Sequence, residues 1–184
     1  MKELDNFLKE LQENKNNKSI ILFGSHARGN ARENSDIDLI VVCYETKRGL
    51  EERNGQIFEI VYVTEEDAKS FYEKNKDNAV RTWDIAKILV DEDGSANRLK
   101  EFVADIKTKG KEKIDENKLK HLIFDTEDSV RAIEHKKEED VTNAHYLLNE
   151  KIQGLLELFF NIRGLWLPAP KQLLHFSTNF PLKV

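Results

Sequence analysis

Residues 24–38 read Gly24-Ser25-His26-Ala27-Arg28-Gly29-Asn30-Ala31-Arg32-Glu33-Asn34-Ser35-Asp36-Ile37-Asp38, and the reading of the chain turns on them. Two short apolar runs flank the stretch, Ile20-Ile21-Leu22-Phe23 before it and Leu39-Ile40-Val41-Val42 after it. Both are rich in β-branched residues and read as buried strands. Ten residues separate Ser25 from Asp36. Side chains at i and i+2 of a strand share a face, about 7 Å apart along the chain. Asp36 and Asp38 therefore point one way and Ile37 the other. Carboxylates this close repel each other unless a cation lies between them. Oxygen ligands of this kind suit Mg²⁺ or Mn²⁺, which keep waters and complete their shell with substrate phosphates. Gly24 lets the backbone turn tightly and approach a ligand. Ser25 adds a hydroxyl and a backbone N–H, both able to hold a phosphate oxygen near a helix start.

The order Gly24-Ser25, ten residues, Asp36-Ile37-Asp38 resembles the signature of the nucleotidyltransferase superfamily that includes DNA polymerase β. The likeness is to its minimal nucleotidyltransferases and its antibiotic nucleotidyltransferases, with Arg28-Gly29 in the helical turn between the two halves of the motif. The resemblance implies a third carboxylate on a following strand. Gln56–Val63 is the candidate strand and Glu59 its one acidic residue. Many relatives carry Asp there, so Glu59 is a departure, and its bland reading is a solvent-facing Glu on an edge strand. By resemblance, Asp36, Asp38 and Glu59 are the catalytic residues and the ligands of Mg²⁺, with Mn²⁺ as the substitute. Gly24, Ser25, His26 and Arg28 are the nucleotide-binding residues. His26 contacts a phosphate or lies on the surface. Arg28 is more often structural in this turn.

Composition narrows the class. The chain has 184 residues, 34% charged and 39% hydrophobic, with net charge −5. This suits a helix-rich globular protein of one domain or two small ones. The negative balance argues against a long nucleic acid, which needs a Lys/Arg surface, but not against a nucleotide. The lone Cys43 excludes an internal disulfide and reads as a structural thiol in a reducing cytoplasm. Met1–Leu11 is charged and amphipathic, unlike a signal peptide. No apolar run reaches membrane-spanning length. Pro181-Leu182-Lys183-Val184 is not a clear terminal cap.

Along the chain, Leu4, Phe7, Leu8 and Leu11 mark a first helix. A short helix near Ser25 is expected to end before Asn34-Ser35. Lys47–Asn54 is charged and closes on the turn signal Asn54-Gly55. Thr64 reads as an N-cap to a helix over 65–75, followed by a helix over 78–86 and a strand at Ile88–Val90. After Gly94 the texture turns helical. Leu99, Phe102, Val103 and Ile106 mark one helix, Leu119 to Ile133 a second, and Val141 to Phe159 a third capped by Asp140. Pro168 and Pro170 break the pattern before a short helix at Lys171–Phe176. The expected fold is α+β: a nucleotidyltransferase-type domain over 1–93, with a small mixed sheet flanked by helices, and a helical bundle over 94–184.

This layout resembles the two-part build of antibiotic nucleotidyltransferases. It implies transfer of a nucleoside monophosphate, AMP from ATP, to a hydroxyl. One acceptor is a small molecule, aminoglycoside- or lincosamide-like, which makes antibiotic resistance the corresponding role. The other is a protein tyrosine, as for antitoxins that modify HEPN toxins. A non-catalytic nucleotide-binding module is the rival from another class, and a homodimer is compatible with either enzyme reading. In the antibiotic enzymes a helical-domain acid serves as general base, and Asp125, Glu127, Asp128, Glu134, Glu150 and Glu157 are candidates here. Arg131 and His135 loosely resemble the Arg…His pair of HEPN ribonucleases, at shorter spacing. Trp83 and Trp166 read as packing residues.

Overall fold

Five extended segments assemble into one mixed sheet in the computed structural model, which describes residues 2–179. They are β1 (Ser19–Phe23), β2 (Ile37–Val42), β3 (Lys47–Arg53), β4 (Gln56–Val63) and β5 (Lys87–Asp91), in the order β3-β4-β2-β1-β5. The β2–β4 pair is parallel and the others antiparallel. Ile21, Leu39, Val41, Phe58 and Ile60, on the three central strands, are fully buried, as uninterrupted apolar strands covered on both faces must be.

One face is covered by α1 (Lys2–Glu13), whose Leu4, Phe7 and Leu11 join Ile20, Leu22, Ile37 and Leu39 in a single cluster. The Phe7 and Phe58 rings pack at a tilt, their centroids 4.6 Å apart. The short α2 (Gly24–Arg28) follows β1, and α3 (Glu65–Lys74) and α4 (Lys76–Trp83) lie over the face that carries Ile40, Val61 and Val63. Thr64 caps α3 by accepting from the Asp67 amide at 3.0 Å, as its sequence position predicts.

β3 is absent from the sequence reading. Five of its seven residues are charged, and they sit on an exposed edge with no apolar alternation to betray a strand. The charges suit an edge, where they discourage pairing with another chain. What makes it a strand is the Asn54-Gly55 turn, with φ of 50° and 80°, which folds it back on β4 as a two-residue hairpin.

The composition shift at Gly94 is not where packing changes. Helix α5 (Ser95–Lys109) buries Leu99, Val103 and Ile106 and belongs to the compact unit that ends at Lys109. Its first turn is tied to the sheet by Asp91, whose carboxylate accepts from Ser19 Oγ at 2.6 Å and from the Ala96 and Asn97 amides at 3.1 Å. Burial pushes the Asp91 carboxyl up, but these donors together hold it below its ordinary value.

The second unit begins at Gly110. Helices α6 (Glu116–Glu139) and α7 (Val141–Ile162) pack side by side, joined by Asp140 alone. Asp115 and Asp140 cap them, accepting from the Lys118 amide at 2.9 Å and the Asn143 amide at 3.1 Å. After a break at 163–169 come a 3₁₀ turn (Pro170–Gln172) and α8 (Leu173–Asn179). Residues 181–184, whose capping role the sequence left open, lie outside the described residues. The apolar stripe of α6 is only half-covered, since none of its residues is fully buried. Arg131 pairs with Asp128 and His135 with Glu139, each at 3.5 Å on solvated helix faces. Cys43 is buried, donating to the Glu45 carbonyl at 3.2 Å. Among the described residues no helix is long and apolar enough to cross a membrane.

Arg98 of α5 grips Glu65 at the start of α3, with Nη2 and Oε2 2.7 Å apart. Hydrogen bonds from Arg98, then Lys69, against some burial, hold the Glu65 carboxyl at about 2. Its folded value lies below the ordinary 4.5, so its stabilisation is complete above that pH and fades as the pH falls toward 2. Arg98→Met should lower stability modestly at neutral pH, since exposure of the pair screens the interaction. In urea unfolding, the gap between variant and parent should narrow as the pH drops below 4.5.

Candidate active site

The sheet register brings the three predicted carboxylates together. Asp38 lies opposite Glu59 across the parallel β2–β4 pair and opposite Phe23 across β1–β2. Asp36 immediately precedes β2. One carboxylate oxygen from each of Asp36, Asp38 and Glu59 lies within 4.8 Å of the others. Asp36 is exposed, and the other two are half-buried. Glu59 is not on an edge: β3 pairs outside it, with Leu50 opposite.

Gly24 has a more specific reason to be glycine than loop flexibility. Its φ is +69°, and a Cβ there would lie 1.8 Å from Asp38 Oδ2 and 2.6 Å from Asp38 Cγ. The sequence reading took this glycine to admit a ligand; the structure shows the Asp38 carboxylate itself filling the space. Any side chain at position 24 would displace it.

α2 starts directly at Gly24, with no side chain capping it. The Ser25 hydroxyl thus caps nothing, and it makes no hydrogen bond among the described residues, while the Ser25 carbonyl accepts from the Gly29 amide at 3.0 Å. Gly29, at φ +83°, ends the helix. His26 Nε2 lies 3.2 Å from the Ser35 carbonyl, so the proton rests on that nitrogen. Gln56 Nε2 donates to the same carbonyl at 2.9 Å. Ser35 Oγ accepts from the Arg32 amide at 2.8 Å. These bonds tie the 30–35 loop to α2 and β4 and so deliver Asp36 beside Asp38. Arg28 is half-buried and has no ion pair among the described residues.

A cavity of about 350 Å³ opens beside the carboxylates. Ile40, Val61 and Val63 form its floor, α3 and α4 its wall, and Asp38 and Glu59 one end. Arg48 stands at its rim, Nη1 3.5 Å from Glu59 Oε1. Hydrogen bonds from Thr46 and Thr64 hold the nearby Asp67 carboxyl below its ordinary value. The sequence reading did not single out Arg48, Phe71 or Asn78 of this cavity. Counting back from the Asn54-Gly55 turn would have placed Arg48 opposite Val61; no local pattern marks Phe71 or Asn78.

The donor set fits a divalent cation. All three groups are carboxylates, their oxygens lie within 4.8 Å of each other, and the rim cation Arg48 reaches only Glu59. A hard cation with oxygen ligands satisfies this arrangement. Gly24→Ala should therefore weaken Mn²⁺ binding, read by isothermal titration, at least about tenfold, and should destabilise the fold by about 1–3 kcal/mol of backbone strain. Unchanged metal affinity in a folded Gly24→Ala protein would show that the Asp38 position does not depend on this glycine.

Comparison with known proteins agrees with this geometry. Residues 4–153 match the model of the nucleotidyltransferase domain family. A protein of Methanocaldococcus jannaschii named "Putative protein adenylyltransferase" is 60% identical over 38 residues, which cover 21% of this chain and 44% of that relative. The chain thus spans less than half the length of that relative. The family match takes in the whole sheet, the Gly24-Ser25 turn and the three carboxylates, and the chain accordingly belongs to the nucleotidyltransferase domain family.

Proposed function

We propose that the protein transfers AMP from ATP to a hydroxyl group of a protein side chain, at the site formed by Asp36, Asp38 and Glu59. The observation that carries this reading is the convergence of those carboxylates beside the Gly24-Ser25 turn. The three residues would hold a divalent cation, Mg²⁺ by the family resemblance. When bound, the cation supplies charge neutralisation at the α-phosphate and eases deprotonation of the acceptor hydroxyl. Ser25, whose hydroxyl serves no cap, and Arg28, which has no carboxylate partner among the described residues, take the β- and γ-phosphates. The acceptor oxygen forms its bond to the α-phosphorus as the bond to the bridging oxygen breaks. Pyrophosphate leaves, and the hydroxyl proton passes to solvent or to a base.

Two considerations favour a protein acceptor. The M. jannaschii relative is named for protein adenylylation. The antibiotic-type reading rested on a helical domain over residues 94–184. Here α5 packs with the sheet, which leaves from Gly110 onward a helical hairpin and a short terminal helix, a looser likeness to a drug-binding domain. Among the candidate bases, Glu150 accepts from Tyr146 at 3.0 Å and Glu157 from Gln153 at 3.3 Å, so both already have helical partners.

Incubation with α-³²P-labelled nucleoside triphosphates and Mg²⁺ should label a protein acceptor, or the enzyme itself, with ATP preferred. Asp38→Asn keeps the size of the side chain and should lower incorporation by about a thousandfold, the several kcal/mol a catalytic cation supplies. ATP should raise the melting temperature only when Mg²⁺ is present. Failure of all four nucleotides to label any acceptor, with no Mg²⁺-dependent shift, would leave the binding-module reading standing instead.

A further inference from the structure

The cavity beside the carboxylates contains two features that its role as a site wall does not explain. Phe71 is an aromatic ring left 49% exposed on α3, a helix that buries Ala68 and Tyr72. It meets Tyr72 edge-on at 6.0 Å and otherwise borders the cavity. Asn78, one turn into α4, carries the one side-chain amide on the wall, and that amide makes no hydrogen bond among the described residues. The amide is thus open to solvent, with its donors and acceptor available to a ligand in the cavity.

From these features we propose that the cavity seats the adenine of the nucleotide, covered by Phe71 and read by Asn78. The proposal rests on the nucleotidyl-transfer reading of the adjacent carboxylates and adds the basis of nucleotide choice. The cavity has Asp38 and Glu59 at one end, so a nucleotide whose α-phosphate lies at the carboxylates can extend its nucleoside over Ile40 and Val61. Its volume, about 350 Å³, falls within the range of pockets that take small planar ligands. The lining carries Asp38, Glu59 and Asp67 against the one cation Arg48, a net negative balance that disfavours an anionic occupant and suits an uncharged ring. Apolar floor and aromatic cover favour a stacked π-system.

The amide sets which base. Adenine presents a donor and an acceptor side by side, N6–H and N7, matching the oxygen and NH₂ of an Asn side chain. Guanine presents two acceptors, O6 and N7, on the same edge, so the Asn78 oxygen would face O6 without a proton between them. Asn78 is thus a specificity-determining residue, and Phe71 contributes affinity for any base.

The test separates base recognition from chemistry. ¹⁵N-labelled protein in EDTA is titrated with adenosine and then guanosine, followed by NMR. Adenosine should shift the Asn78 side-chain amide and the signals around Phe71, at least about tenfold more tightly than guanosine. Asn78→Ala should abolish that preference, Phe71→Ala should weaken both nucleosides, and Phe71→Trp should restore binding. Adenosine shifts that map away from the cavity overturn the proposal. So does an unchanged adenosine preference in Asn78→Ala; if that variant still transfers labelled nucleotide, the cavity belongs to the acceptor and nucleotidyl transfer itself stands.

Discussion

The site depends on a close fit between two residues fourteen apart in sequence: the Asp38 carboxylate occupies the space where a Cβ on residue 24 would be, 1.8 Å from Oδ2. This one contact joins the two halves of the motif. It requires glycine in a left-handed conformation at the end of β1 and brings the Gly24-Ser25 turn against the Asp38 carboxylate. The rest of the sheet supports it. Antiparallel β1–β2 pairing places Asp38 opposite Phe23, just before Gly24, and parallel β2–β4 pairing places Glu59 on the other flank. The bonds of Ser35 to His26 and Gln56 then fix the loop that presents Asp36. Gathering three carboxylates is electrostatically unfavourable for the folded chain alone. The packed centre of the sheet, with Leu39, Phe58 and Ile60 fully buried, supplies the rigidity that holds them in place.

Much of this was legible because it is local. Gly24, Ser25, Asp36 and Asp38 lie on one short stretch between two strands that announce themselves by β-branched runs. Glu59 was legible as the one acid on the next apolar strand. The helix caps Thr64 and Asp140 were equally plain, since a cap is read from a single residue and its successors. The motif's meaning at Gly24 was harder: a tertiary neighbour, Asp38, requires glycine there, and local chemistry does not reveal it.

What escaped the sequence reading depends on partners distant in the chain. β3 carries charges at five of seven positions and is a strand because β4 and a type I′-prone turn make it one. The compositional break at Gly94 suggested a boundary that packing does not respect, because Asp91, Ser19 and Ser95 bind α5 to the sheet. Phe71 and Asn78 line a cavity built from six separate segments, and nothing in their neighbours along the chain marks them.

The central claim is that Asp36, Asp38 and Glu59 form one divalent-cation site at the Gly24-Ser25 turn. It is tested most directly by anomalous diffraction at the manganese edge from crystals grown with Mn²⁺ and a non-hydrolysable ATP analogue. The account predicts manganese density between the three carboxylates, with the analogue's triphosphate running toward Ser25. Density elsewhere, or an ordered triphosphate bound without manganese at these residues, contradicts it.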